Sequence, residues 1–218
     1  VIEGAEAIRD GEAERVVAAG HDAPIEPQTI LYYYRCGLVA ERELRPFDAA
    51  RDGSVLGEGA GALVLETEAS AAARGARILG EYLGGGDAAE GEGLLALRED
   101  GDGPARAIEA ALADAKLVPA DVGLIVAHGN GTPLSDASEA AALMRVFGAS
   151  MPPVTAFKWA TGHPLAASGI LDVTLGLEAA RRRVAPGVAT LQHLDPACAG
   201  VAVAAQSRAT RSDVVLVV

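Results

Sequence analysis

The sequence predicts a layered α/β fold built around a mostly buried sheet. Three observations point to it. From residue 103 onward, short apolar strands alternate with helices. Half of the 218 residues are hydrophobic and 22% are charged, the balance of a globular chain and not of a disordered one. Only 4% are aromatic while glycine numbers 26, so the core must close over small side chains. The length suits one large domain or two small ones.

Residues 1–11 are expected to be helical, with Ile2, Ala5 and Ile8 at helical spacing and Gly11 as the stop. Residues 15–19 read as a short buried strand ending at Gly20. Residues 21–59 hold many turn formers and read mostly as loop; an ordered loop of that length usually serves function. Residues 61–66 read as a strand, 67–74 as a short helix stopped by Gly75, and 77–83 as a second strand paired with the first. The Gly-, Asp- and Glu-rich stretch 84–103 reads as a connection, dividing the chain into 1–83 and 104–218.

Beyond it, residues 104–116 form an amphipathic helix opened by Pro104, with Ala107, Ile108, Ala111 and Leu112 on one face. Residues 122–127 are an apolar strand. Residues 134–147 are a helix capped by Gly148. Residues 154–157 are a short strand, and 164–183 a long helix ending in Arg181, Arg182 and Arg183, where cations suit the helix dipole. Residues 201–204 and 214–218 are late strands.

Composition excludes several functions. The formal charge is 18 − 30 = −12 and the pI is near 4.7, which disfavours nucleic-acid binding. Cys36 and Cys198 lie far apart without metal-ligand spacing, so neither a disulfide framework nor a zinc site is expected, and a reducing compartment, the cytoplasm, is. No apolar run approaches the ~18 residues of a membrane helix. The first residues read as the middle of a helix and the last as a strand without a polar cap. The chain is therefore expected to be a piece of a longer protein.

Three motifs carry chemistry. Ala127-His128-Gly129-Asn130-Gly131-Thr132-Pro133 puts a histidine at the end of an apolar strand, before a glycine-rich turn and a helix. In open α/β sheets, ligands bind at the carboxyl ends of strands; the same residues also suit a hydrogen-bonded histidine in a structural turn. Lys158-Trp159-Ala160-Thr161-Gly162-His163-Pro164 puts a second histidine before a long helix, whose N-terminus favours neutral imidazole. A capping histidine with a solvent-facing lysine is the bland alternative. Arg45-Pro46-Phe47-Asp48, then Arg51-Asp52-Gly53, then Gly57-Glu58-Gly59-Ala60-Gly61 superficially suggests a dinucleotide fingerprint. It follows a loop and opens a strand, the wrong context for that motif.

In this order, the three motifs closely resemble the β-ketoacyl-[acyl-carrier-protein] synthases, condensing enzymes of the thiolase-like fold. The resemblance runs over residues 1–218. It implies an α/β/α/β/α layered fold, with 1–83 the end of an N-terminal half and 104–218 a C-terminal half. It implies a decarboxylative Claisen condensation: a cysteine holds the acyl chain and malonyl carrier protein loses carbon dioxide. His128 and His163 match the two active-site histidines whose N–H groups stabilise the resulting enolate. Lys158 matches the lysine counted with them, and Glu139 its carboxylate partner; both read as orienters of the histidines. Thr132, and with it Asn130, matches the pantetheine-binding position.

The resemblance also implies an acyl-carrier-protein partner bound through phosphopantetheine thioesters, a homodimer or ketosynthase heterodimer, and no cofactor, metal, nucleic acid or membrane. Two departures stand out. Asn130 replaces the usual Thr or Ser, and Leu165-Ala166-Ala167-Ser168-Gly169 replaces a commoner Gly-Ala-Ala-Gly run. The family nucleophile and its Gly-Phe-Gly-Gly loop are expected just outside residues 1–218. Cys36 and Cys198 lack the setting of a nucleophile. A non-catalytic chain-length-factor-like subunit and a thiolase are the alternatives. The triple arginine at 181–183 is a candidate docking patch for an acidic carrier protein.

Overall fold

A computed structural model of the chain describes residues 1–93 and 96–218. In chain order the elements are α1 (Ile2–Arg9), β1 (Arg15–Asp22), α2 (Pro27–Arg35), β2 (Gly59–Glu66), α3 (Glu68–Ala73), α4 (Asp102–Ala115), β3 (Leu124–Val126) and α5 (Pro133–Phe147). They continue with β4 (Val154–Thr155), α6 (Lys158–Thr161), α7 (Ser168–Arg182), β5 (Val184–Ala185), β6 (Arg208–Ala209) and β7 (Val215–Val217). Within the expected connection 84–103, residues 94 and 95 lie outside the described residues.

The central sheet is parallel, in the order β4-β3-β7. Every residue of β3 is buried, and its side chains alternate between two cores. Ile125 packs with Ile108 and Leu112 of α4 and with Leu143 and Phe147 of α5. Leu124 and Val126 pack with Ala179 of α7. A β-carbon at Gly176 of α7 would lie 3.2 Å from Val126 and from Val215, so a small residue there lets the helix settle on the sheet. On the far side of α7 lies the antiparallel pair β1–β2. A β-carbon at Gly20 would lie 2.7 Å from the Ala166 carbonyl oxygen, and one at Gly61 2.7 Å from Ile170. The layers therefore run helices, sheet, helix, sheet, in agreement with the thiolase-like expectation. The outer face of β1–β2 is open, with Val17 and Val64 exposed.

Four expectations are corrected. Residues 77–83 form no strand: β2 pairs with β1, from Arg15↔Glu66 to Asp22↔Gly59, and not with the segment that follows α3. Instead, residues beyond them run close against helices, and a β-carbon at Gly84 would lie 2.5 Å from the Ala115 nitrogen of α4. Residues 27–35, read as loop, form α2, started by Pro27 at its first turn. The long helix begins at Ser168 and not at 164, because Leu165 takes φ +40° and the chain first makes a 3-10 turn over Leu165–Ala167. The expected strand at 201–204 is reduced to one bridge, Val203 to Val154. Among the described residues, no helix is long and apolar enough to cross a membrane.

Candidate active site

β3 carries His128 to the carboxyl end of the central strand. The Ala127 N–H donates to Thr155 at 2.8 Å, so the ladder holds up to the residue before the histidine. There Gly129 (φ +44°) and Gly131 (φ +78°) turn the chain into α5. Both turns are crowded: a β-carbon at 129 would lie 2.7 Å from Ala156, and one at 131 would lie 2.6 Å from the Gly53 carbonyl oxygen.

Two carboxylates one helical turn apart on α5 hold this turn. Glu139 accepts from the His128 N–H at 2.6 Å and the Gly129 N–H at 2.9 Å. Asp136 accepts from the Gly131 N–H at 3.1 Å and the Phe47 N–H at 2.7 Å. Both are buried, and burial raises Glu139 to about 7 and Asp136 to about 6, against the backbone donors that favour their charged forms. Asp136 also faces the Arg51 guanidinium at 3.6 Å. Arg51 reaches Asp195, the Asp48 carbonyl at 3.0 Å and the Pro133 carbonyl at 2.9 Å. Asp48 in turn accepts from the N–H groups of Ala50, Gln192 and His193. The first-half motif from Arg45 to Gly53 is thus a strut under the His128 turn. Asp136 was missing from the sequence reading; its place three residues before Glu139, on one helix face, was the available signal.

His163 arrives from the other side. Its N–H donates to the Val55 carbonyl at 2.7 Å, and its carbonyl accepts from the Gly57 N–H at 3.0 Å. Its Nδ1 lies 3.0 Å from Ser168 Oγ. The two imidazoles meet edge to face, with centroids 5.2 Å apart and planes at 85°. Burial is the main reason both are hard to protonate, with the Lys158 charge adding to it. His128 falls to about 3, aided also by His163, and His163 falls to about 4. Both rings are therefore neutral at pH 7.

Lys158 is 1% exposed, so the solvent-facing alternative fails. Its Nζ pairs with Asp172 Oδ2 at 2.9 Å. The expected pairing with Glu139 is corrected. Both Glu139 oxygens are occupied by backbone N–H groups, while Asp172, one turn into α7, offers a free carboxylate. Burial raises the Asp172 carboxyl, and the lysine opposes that rise. Sequence reasoning missed Asp172, an acid flanked by the apolar residues Ile170, Leu171 and Val173 of α7.

Asn130 and Thr132 face one another. The Thr132 N–H and hydroxyl both donate to Asn130 Oδ1, at 2.9 and 2.8 Å. Asn130 Nδ2 lies 3.2 Å from His128 Nε2. The two cysteines are elsewhere in character. Cys198 is buried in the core, and burial pushes its thiol up to about 12. Cys36 is exposed at the end of α2.

Comparison with known proteins matches this chain to two family models: the N-terminal domain of β-ketoacyl synthase over residues 1–71 and its C-terminal domain over residues 79–192. It is 39% identical over 193 residues to nodulation protein E of Rhizobium leguminosarum bv. trifolii, covering 88% of this chain and 48% of that one. It is 36% identical over 199 residues to 3-oxoacyl-[acyl-carrier-protein] synthase 2 of Staphylococcus aureus (strain COL), covering 88% and 48%. Two solved structures superpose with a TM-score of 0.90. One is a type II polyketide-synthase acyl-carrier protein in complex with its ketosynthase bound to the hexaketide (31% identity; 95% of this chain, 53% of that chain). The other is the ishigamide ketosynthase/chain length factor (33%; 98% and 52%). The chain spans about half the length of the curated relatives it matches.

Proposed function

The chain belongs to the β-ketoacyl synthase family, and from that membership we propose that it forms part of a 3-oxoacyl-[acyl-carrier-protein] synthase acting in fatty-acid or polyketide-type biosynthesis. The observation that carries this reading is the pair of buried, neutral imidazoles 5.2 Å apart. In the reaction, the malonyl thioester loses carbon dioxide. The electron pair of the broken C–C bond moves into the thioester, and negative charge grows on its carbonyl oxygen. A neutral imidazole N–H aimed at that oxygen in a dry site lowers that barrier. The carbanion then attacks the carbonyl of the acyl thioester, and the thiolate leaves.

His128 and His163 take the donor roles. Glu139 and Lys158 act through them: Glu139 fixes the His128 backbone, and the Lys158 charge adds to burial in keeping both rings neutral. Asn130 and Thr132 lie beside His128, where a phosphopantetheine arm would bring the thioester. An acyl carrier protein is the partner we assign, with a second ketosynthase-type subunit. The arginine triplet is a poor docking patch, since Arg181 and Arg182 both pair with Glu178 and Arg183 pairs with Asp213.

We assign no acyl-carrying nucleophile within these 218 residues. Cys198 is buried with its thiol held protonated, and Cys36 caps an exposed helix. By themselves these residues are expected to catalyse no condensation. Two free cysteines support the cytoplasm as the place of work.

One observation favours a second reading, a non-catalytic subunit: the likeness to a ketosynthase/chain length factor. Decarboxylation of malonyl carrier protein separates the two. The enzyme reading expects carbon dioxide release that collapses in His163→Ala. An unchanged rate in that variant rejects the role given to His163, and no release by the wild type leaves the non-catalytic reading.

A further inference from the structure

The two departures from the family motifs, Asn130 and Ser168, each touch one imidazole. Asn130 Nδ2 lies against His128 Nε2, and Ser168 Oγ lies against His163 Nδ1. They touch opposite ring nitrogens.

The direction of each hydrogen bond follows from its surroundings. The orientation of the Asn130 amide is set by the Thr132 backbone N–H, which can only donate. The atom facing it at 2.9 Å must be the oxygen. The atom facing His128 is therefore the NH2 group, also donor only. His128 Nε2 must accept, and a neutral ring then carries its proton on Nδ1. For His163 the partner is a hydroxyl in a buried residue. Among the described residues, Ser168 Oγ has one partner, His163 Nδ1. A buried O–H that gives up its only acceptor costs more than a spare lone pair. The hydroxyl therefore donates to Nδ1, and His163 carries its proton on Nε2.

We propose that Asn130 and Ser168 are positioning residues that set opposite tautomers on the two imidazoles: Nδ1–H on His128 and Nε2–H on His163. This rests on the reading of the site as one for malonyl decarboxylation, and it makes the two histidines inequivalent. His163 stands ready to donate from Nε2 to the enolate oxygen. His128 donates from Nε2 only after the Asn130 amide has let go and the ring proton has moved from Nδ1 to Nε2. The family residues that Asn130 replaces, Thr or Ser, carry a hydroxyl that can either donate or accept. An amide nitrogen cannot, and this is what makes the arrangement a property of this chain.

The test is nitrogen NMR of the 15N-histidine-labelled protein at pH 7, where the two neutral tautomers give different pairs of ring-nitrogen shifts. Signals are assigned with His128→Gln and His163→Gln. The wild type is expected to show Nδ1–H on His128 and Nε2–H on His163. Asn130→Ser should mix the tautomers of His128 alone, and Ser168→Ala those of His163 alone, with backbone spectra confirming the fold. Ser168→Ala should also lower kcat for decarboxylation about tenfold or more, with KM within about twofold. The same tautomer on both rings in the wild type, or no change in either variant, overturns the proposal. The wild-type spectrum needs no variant and no activity. An inactive wild type with opposite tautomers would therefore sink the decarboxylase reading and leave the tautomer assignment standing.

Discussion

Lys158 and Asp172 form an ion pair sealed from solvent, 2.9 Å between Nζ and Oδ2, with side chains 1% and 6% exposed. A buried pair gains little over a well-packed apolar one, but a buried charge left alone is costly. Asp172→Leu should therefore destabilise the fold by about 3–5 kcal/mol. The double variant Lys158→Met with Asp172→Leu should recover most of that loss. Urea unfolding of the four proteins of the cycle measures the coupling. Equal losses in the single and double variants would show that no charge is stranded.

Glu139 holds two consecutive backbone N–H groups with its two oxygens. In Glu139→Gln one oxygen becomes an NH2 that faces a donor. One buried N–H loses its acceptor, at a cost of about 1–3 kcal/mol. Decarboxylation should fall with it, because the same turn carries the His128 ring. Glu139→Asp, one methylene shorter on a fixed helix, should lose activity as well. Full activity in both would mean that the turn stands without the carboxylate.

The parts of this site that were legible in the sequence are local ones. His128 could be placed because an apolar strand, two glycines and a proline follow one another within ten residues. His163 could be placed because Gly162 and a helix flank it. The struts were not legible. Arg51 meets Asp136 from 85 positions away, and nothing in either neighbourhood marks the pairing. Asp172 looks like one more polar residue on α7, and only the fold brings Lys158 to it. The misread strand at 77–83 has a similar cause. Apolar residues in a short segment do not choose a partner strand, and β2 pairs with β1 instead. Helix α2 was missed although Ile30, Tyr33 and Tyr34 stand at helical spacing; the turn formers on either side of this short run hid it.

Gly57 seats His163. A β-carbon there would lie 2.3 Å from the Thr161 carbonyl oxygen and 3.0 Å from Gly162, both backbone. Backbone cannot swing aside as a flexible side chain can. Gly57→Ala should push the Val55 and His163 segments apart and break the hydrogen bond from the Gly57 N–H to His163. The expected loss is about 1–3 kcal/mol, as for other overpacked sites, with decarboxylation falling more than carrier-protein affinity. Gly37, whose β-carbon would meet nothing within 4 Å, has φ +69°, so Gly37→Asn is the control. It should leave decarboxylation nearly unchanged. Equal effects in the two would remove Gly57 from the account.

The buried groups of the site make opposing demands as pH changes. His128 and His163 titrate at about 3 and about 4 in the fold, against 6.5 unfolded. Between those values the unfolded chain binds the extra protons, so these rings make stability rise with pH. Glu139 and Asp136 titrate at about 7 and about 6 in the fold, against 4.5 and 3.8. Over that span the folded chain holds the extra protons, so these carboxyls make stability fall as pH rises. Between about pH 4.5 and 6 the two kinds oppose one another, and the Asp172 carboxyl, also raised by burial, adds to the second. Replacing both histidines by glutamine removes one side of the balance. The stability of His128→Gln with His163→Gln should then fall more steeply than that of the wild type as pH rises through this window. The gap between them should widen by on the order of 1–3 kcal/mol per pH unit. Urea midpoints at half-unit steps measure it. A gap that stays constant would mean that the imidazoles are protonated as easily in the fold as in the unfolded chain, and the neutral pair on which the decarboxylation reading rests would be lost.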